Sequence, residues 1–287
     1  MTASDGTGAP GAPRIDAAEV AQLRGICEQV AHAAGSHAAA ARRRLGPGTR
    51  ASHDTKSSDV DPVTEFDRET EELVVRRIRE LRPHDSIVGE EGADHRGTSG
   101  DEWHVDPIDG TVNFVYDLPG WCTSIAVLRD GVVVAGAIYA PAVDEVTSAG
   151  IGLGTTVDGV AVRVSAASEL ATSLAATGFA YELDRRRRQG ERLGGVMGQV
   201  RDVRREGSAA LDLAHVAAGR VDTYFEEGLN SWDAAAGVLA VTEAGGVVTT
   251  FAGTSLDVRR PHGLVAAGPT LHPAVLEMLG GSAIPAR

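Results

Sequence analysis

Asp106-Pro107-Ile108-Asp109-Gly110-Thr111 is the segment that most narrows what this 287-residue chain can fold into. It follows Trp103-His104-Val105, an apolar stretch that reads as a short strand. Proline removes a donor from a strand ladder and glycine weakens any regular element. The hexapeptide therefore reads as a strand end opening into a tight loop, where side chains and bare amides can be aimed at one point. If Asp106 and Asp109 converge there, a proton or a cation must relieve their repulsion. Donor sets of hard oxygens select Mg²⁺-like ions.

The rest of the chain leaves room for such a site. Its length suffices for one large domain or two modest ones, and 43% hydrophobic with 23% charged residues is an ordinary globular balance. A net charge of −13 argues against a general nucleic-acid binder, which needs a basic patch. It does not exclude anionic substrates, because a carboxylate-bound cation reverses the local sign. Cys27 and Cys122 are the two cysteines, too few for a disulfide framework or a CxxC zinc site. No apolar run has the length of a membrane span, and the start lacks a basic-plus-apolar signal. The expectation is a soluble cytoplasmic protein with no membrane partner.

Three regions follow from the pattern. Residues 1–13 carry little to bury and read as a disordered tail. Residues 14–150 read as an α+β half with an antiparallel sheet. It begins with a helix from Asp16 to about Leu45 and a second from Thr64 to Leu81 with Leu73, Val74 and Ile78 inward. Strands follow at Ser86–Gly89, Trp103–Val105 and Glu145–Ala149, with a hairpin from Ser124–Leu128 and Val132–Ile138 across Arg129-Asp130-Gly131. Residues 151–287 alternate short strands (near 174–177, 203–204, 222–225, 246–250 and 263–267) with helices at about 185–200, 208–218, 232–244 and 271–279, an α/β texture.

Several acidic residues fall at the ends of these elements: Glu90 and Glu91 after one strand, Asp106 and Asp109 after the next, Asp233 at a helix start. Taken singly, Glu-Glu-Gly is a solvated turn and an Asp at a helix start is a cap. Their joint occurrence changes the reading. Lys56-Ser57-Ser58-x-Val60-Asp61-x-Val63-Thr64, Gly89-Glu90-Glu91-Gly92 and Asp106 to Phe114 resemble motifs of the inositol monophosphatase family. So do Gly207-Ser208-Ala209-Ala210-Leu211-Asp212-Leu213, Trp232-Asp233-Ala234-Ala235-Ala236-Gly237 and Glu243-Ala244-Gly245-Gly246. The matches occur in family order from about residue 15 to 280.

That resemblance implies a layered αβαβα sandwich of the inositol monophosphatase and fructose-1,6-bisphosphatase type, and Mg²⁺-dependent hydrolysis of a small phosphorylated polyol. It also implies lithium sensitivity and a homodimer. Carried over by residue, it gives a first ion to Glu90, Asp106 and the Ile108 carbonyl, and a second to Asp106, Asp109 and Asp233. A third, weaker ion leans on Glu90, for two to three Mg²⁺ in all. Glu90 and Thr111 orient and deprotonate the attacking water, with Asp106 bridging the ions. The Gly110 and Thr111 amides bind phosphate oxygens, and Asp109 and Asp233 also count among the substrate-binding residues. Glu226 matches the ligand of the inositol hydroxyls, with Ser208 and Ala209 on the loop beside it. Lys56 and Asp61 match a mobile loop over the third ion, although Lys56 reads nearly as well as a plain solvated lysine.

Other features read as structural. Arg185–Arg188 reads as a solvated helix face, the alternative being a border of the active-site mouth that attracts anions; the scattered histidines lack metal-ligand spacing, Cys122 packs near the hairpin, and Trp232 packs rather than reacts. Glu206, Asp59 and Trp121-Cys122-Thr123 depart from the commonest family pattern. The leading function is hydrolysis of myo-inositol 1-phosphate. Histidinol phosphate, fructose 1,6-bisphosphate and NADP are the alternatives within the superfamily. A regulatory protein that associates with the transcription machinery is the alternative from another class.

Overall fold

The structure is a computed structural model that describes residues 16–56 and 62–280. The expected tail over 1–13 and the loop residue Asp61 lie outside the described residues. Helix α1 (Ala17–Arg44) buries Val20, Leu23, Cys27, Val30, Ala31, Ala34 and Ala38 at helical spacing. Its alanine content favours the helix intrinsically. Gly35 interrupts that run at a cost of roughly 1 kcal/mol for a packing reason: a Cβ there would stand 2.6 Å from the Tyr139 ring. Helix α2 (Glu65–Leu81) starts on a capping box, in which the Thr64 side chain accepts from the Asp67 amide and Asp67 accepts from the Thr64 amide. The buried face of α2 is Asp67, Thr70, Glu71, Val74 and Ile78; Leu73, expected inward, is only half-buried.

A short ladder of β1 (Asp54–Thr55) and β2 (Pro62–Val63) precedes α2. The first large sheet contains β3 (Ser86–Gly89), β4 (Asp94–His95), β5 (Asp101–Asp109), β6 (Cys122–Arg129), β7 (Val132–Ala140), β8 (Glu145–Gly150), β9 (Gly154–Val157) and β10 (Val160–Ala161). Its order is β10-β9-β8-β7-β6-β5-β3-β4. Every pair is antiparallel except β3 with β5, which run parallel because the chain returns to the same end of the sheet between them. β9 and β10 lie beyond Gly150 and still extend this sheet.

The second sheet contains β11 (Leu174–Thr177), β12 (Asp202–Arg204), β13 (Thr223–Glu227), β14 (Val247–Thr249) and β15 (Gly263–Ala267), in the order β12-β11-β13-β15-β14. β11 pairs parallel with β12 and β13, whereas β15 is antiparallel to both neighbours. The alternating pattern of the second half therefore yields a mixed sheet rather than a purely parallel one.

Five layers result. α1 and α2 cover one face of the eight-stranded sheet, burying Trp103, Ile125 and Val127 against Leu23, Val30, Val74 and Ile78. Between the sheets lie α5 (Ala209–Ala217) and α6 (Ser231–Glu243), packed on each other; α6 also meets β7 and β8, and α5 meets β11 and β13. The far face of the five-stranded sheet meets α4 (Leu183–Val196) and α7 (His272–Met278), with Val196, Leu271 and Val275 against Ala175, Phe225 and Val265. This is a layered α/β architecture with open sheets.

The hexapeptide departs from expectation in one respect. β5 does not end at Val105 but continues to Asp109, and its ladder with β6 slips between Asp106 and Asp109. The slip is why proline is tolerated: Pro107 falls where the ladder is interrupted, and its carbonyl accepts from the Thr123 hydroxyl at 2.8 Å. Gly110 then adopts φ 98°, and the one-turn helix α3 (Thr111–Val115) begins. A Cβ on Gly110 would meet the Gly120 carbonyl at 2.7 Å, so no side chain fits that turn.

Candidate active site

The bulge at the end of β5 interrupts its ladder with β6 between Asp106 and Asp109, and α6 packs against the same strand. Asp106 is 1% exposed, and its Oδ1 accepts from the Ile108 amide at 3.0 Å. Burial, followed by the charges of Glu90, Asp109 and Asp233, holds its carboxyl well above the usual carboxylate range. Glu90, on the turn after β3, is an electrostatic neighbour of Asp106, each carboxylate acting on the other's ionisation. Its Oε2 is buried and has no hydrogen-bond partner among the described residues, and burial raises its pKa against the pull of Lys56.

Asp109 is held from the second half of the chain. Its Oδ2 accepts from the Ser208 hydroxyl and the Ala210 amide, each at 2.7 Å. Burial outweighs these donors, and the Asp109 carboxyl is raised too. Asp233 sits at the third position of α6, where its Oδ2 accepts from the Asn230 amide at 2.7 Å in a capping box. It is thus both a cap and a member of the acidic group: burial, then Glu90 and Asp109, hold it well above the ordinary range. Glu90, Asp109 and Asp233 each keep part of their surface accessible. Carboxylates from the β3 turn, β5 and α6 therefore meet at one partly open cleft.

Glu226, in β13, belongs to the same electrostatic group. The Tyr224 hydroxyl donates to its Oε2 at 2.5 Å. Burial pushes the carboxyl up to about 7, with Tyr224 opposing and Asp109 adding to the rise. Gly178, just past β11, leaves the space it occupies: a Cβ there would stand 1.9 Å from Glu226 Oε2. Ser208 caps α5 by accepting from the Leu211 amide at 3.2 Å, and Ala209 is the first residue of that helix.

Lys56 is an exposed residue, but its ammonium is ion-paired. Its ammonium donates to Glu90 Oε1 at 2.8 Å and to Glu91 Oε1 at 2.5 Å. Burial pulls its pKa down, but the two carboxylates outweigh that and leave it above the ordinary lysine value. The Arg185–Arg188 run is likewise not uniformly solvated, since Arg186 donates to the Ala180 carbonyl at 2.8 Å. Cys122 is buried beside the site, 3.3 Å from the Ser208 hydroxyl.

Two acidic residues of α2 that sequence reasoning passed over also reach this region. Asp67 is fully buried, and the Thr111 hydroxyl lies 3.3 Å from its Oδ1 and 3.1 Å from the Ile108 carbonyl. Burial pushes Asp67 up to about 6, against its hydrogen bonds from Thr64. Glu71 accepts from the amides of Glu91 at 2.8 Å and Ala93 at 2.9 Å, which shapes the turn that presents Glu90. The available signal was Thr64-x-x-Asp67 followed by Glu71 four residues on, carboxylates on the face a helix turns inward. His104, given no role by spacing, joins β5 to α6: its Nδ1 is 2.7 Å from the Ser231 hydroxyl and its Nε2 2.8 Å from Glu102.

A separate group also has the chemistry of a cation site. Among the described residues, Glu206, Asp212 and His215 place one potential ligand atom each within 4.8 Å of one another, a candidate site for one divalent ion. No helix among the described residues is long and apolar enough to cross a membrane.

Comparison with known proteins agrees with this architecture. The model of the inositol monophosphatase family matches residues 20–281. An inositol-1-monophosphatase SuhB of Mycobacterium tuberculosis is 45% identical over 242 residues, 79% of this chain and 83% of that protein. A Nus factor SuhB of Escherichia coli is 42% identical over 195 residues, covering 67% and 73% respectively. The crystal structure of the extragenic suppressor protein suhB from Bartonella henselae superposes with a TM-score of 0.85 at 33% identity, over 91% of this chain and 100% of that one.

Proposed function

The chain belongs to the inositol monophosphatase family and is by that membership a Mg²⁺-dependent phosphoric monoester hydrolase of small substrates; we propose that its substrate is myo-inositol 1-phosphate. The observation that carries the reading is the clustering of Glu90, Asp106, Asp109, Asp233 and Glu226, each held above its ordinary pKa by burial and, in most of them, by its acidic neighbours. Such a group is stable near neutral pH only with bound protons or cations.

Magnesium fits the donors. They are hard carboxylate oxygens, and Glu90 contributes a buried oxygen that no other described residue satisfies. We assign Glu90, Asp106, Asp109, Asp233 and the Ile108 carbonyl as the residues that hold two to three ions. Bound there, Mg²⁺ would offset the phosphate charge and lower the pKa of a nearby water.

The chain's own groups supply the rest. Glu90 and the Thr111 hydroxyl orient the attacking water in line with the phosphate. Asp67, pushed up to about 6, is matched to accept a proton through Thr111 Oγ1 near neutral pH. The Gly110 and Thr111 amides, freed by the turn at Gly110, face phosphate oxygens. Glu226, with Ser208 and Ala209 alongside, receives the hydroxyls of the alcohol. Lys56, already on Glu90, modulates the charge there. In this scheme residues 14–150 carry the chemistry, and residues 151–287 complete the metal set and choose the alcohol.

Phosphate release from myo-inositol 1-phosphate, histidinol phosphate, fructose 1,6-bisphosphate and NADP, with Mg²⁺ and with EDTA, tests this. Preference for histidinol phosphate would overturn the substrate, and turnover surviving EDTA would overturn the metal requirement. Asp106→Asn is expected to lower kcat by about 10²–10³-fold or more, the scale for removing one preorganised charge-stabilising group; unchanged turnover would sink the site assignment. The likeness to a protein named as a Nus factor supports a second reading, binding to transcription complexes. Co-sedimentation of inactive Asp106→Asn protein with purified transcription complexes separates that role from catalysis.

A further inference from the structure

We propose that Glu206, Asp212 and His215 form a second, mixed nitrogen–oxygen site for a borderline divalent cation of the Zn²⁺ class, distinct from the carboxylate cleft. Asp212 and His215 are three residues apart on α5 and so share one face of that helix. Glu206 approaches them from the turn that leads into the Ser208 cap. One ligand atom from each lies within 4.8 Å of the other two, and His215 Nδ1 is 3.4 Å from Glu206 Oε2.

Asp212 supplies the independent argument. It is 1% exposed, and its Oδ1 is buried without a hydrogen-bond partner among the described residues. An unsatisfied buried carboxyl oxygen is among the costlier defects a fold can carry, and Glu206 and Glu226 add negative charge around it. A cation removes both costs. The neighbouring imidazole is a suitable ligand, because burial lowers the His215 pKa despite the attraction of Glu206 and so keeps a nitrogen lone pair available.

The donor set selects the ion. One imidazole and two carboxylates match Zn²⁺, Co²⁺ or Cu²⁺, whereas Mg²⁺ prefers oxygen alone in near-octahedral geometry. The side chains of His215 and Glu206 are 22% and 37% exposed, so ions and completing waters can enter. The site also borders the cleft. The Glu206 carbonyl accepts from Asn113 Nδ2 at 2.7 Å, and Ser208, two residues on, donates to Asp109. An ion here would hold the turn that carries Ser208.

The test uses the full chain, stripped with EDTA and then held in excess Mg²⁺ to occupy the carboxylate cleft. Equilibrium dialysis against Zn²⁺ should give one bound equivalent more for the wild type than for Glu206→Gln or His215→Phe. With Cu²⁺, the electron paramagnetic resonance spectrum should show nitrogen hyperfine coupling that His215→Phe removes. Equal Zn²⁺ stoichiometry in wild type and variants overturns the proposal, as does Cu²⁺ coupling that survives His215→Phe. Glu206 lies on a partly exposed turn, so Glu206→Gln decides the matter even if His215→Phe fails to fold. Neither readout depends on phosphatase activity.

Discussion

At the scale of single residues, Gly178 and Thr111 offer the sharpest tests. A methyl group at 178 would land on the Glu226 carboxyl, the flexible end of a side chain, so the fold can absorb it by moving that carboxyl. Gly178→Ala is expected to raise KM for the inositol ester several-fold while leaving kcat and the melting temperature nearly unchanged. A large fall in kcat with KM unchanged would take Glu226 out of substrate binding. Thr111→Val keeps the shape of the α3 start but removes the hydroxyl between Asp67 and Ile108. It should lower kcat by about 10²-fold or more, within the range for losing a positioned proton-transfer group. The pH–rate profile should lose its acidic limb, since Asp67 is then disconnected; an unchanged profile would remove Asp67 from the proton path. Nothing in the hexapeptide pointed to Asp67. It lies 44 residues from Thr111 in the chain, and its visible job is to cap a helix.

At the scale of elements, the site depends on how β5 and α6 are registered. Asp106 stands two residues after His104, and Asp233 two residues after Ser231. The buried His104–Ser231 hydrogen bond therefore ties the strand and the helix that deliver those carboxylates. Ser231→Ala leaves His104 Nδ1 unpaired, at a cost of about 1–3 kcal/mol by denaturant unfolding. It should also weaken Mg²⁺ binding measured by calorimetry. Lost stability with unchanged Mg²⁺ affinity would make the contact structural only. Most elements were legible because helix and strand periods differ: α1, α2 and the β6–β7 hairpin follow their apolar spacing closely. The continuation of β5 through Pro107 was not, because a bulge that spares proline its ladder bond requires a neighbouring strand to slip against. α3, β4, β9 and β10 are too short to carry a periodic signal.

At the scale of the molecule, the carboxylate cluster links stability to pH and metal. Asp67 and Glu226 stand at about 6 and about 7 in the fold, raised from 3.8 and 4.5. In that window the native state holds protons that the unfolded chain has released. Their contribution therefore favours folding at low pH and is lost as pH rises from about 4 to about 7. In EDTA, Glu226→Gln should gain stability relative to wild type between about pH 4.5 and about pH 8, read by denaturant unfolding. An equal difference at both pH values would show that Glu226 is not held up by its surroundings. Mg²⁺ should raise the stability of the wild type above pH 7, by about 2.7 kcal/mol at a hundredfold excess over its dissociation constant.

By itself the sequence determined the chemistry. Carboxylates at the ends of elements, a glycine that ends the strand after Asp109, and an order of motifs from Lys56 to Gly246 are local facts, set by residue type and spacing. Their order resembles that of the inositol monophosphatase family, and that resemblance implies metal-dependent hydrolysis. Only the tertiary structure decided which distant groups share a volume: Lys56 on Glu90, Asp67 behind Thr111, Ser208 on Asp109, Gly178 making room for Glu226, and Asp212 beside Glu206 and His215. Burial and repulsion act through space, so their effects on these carboxyls do not exist until helices and sheets from both halves of the chain close around them.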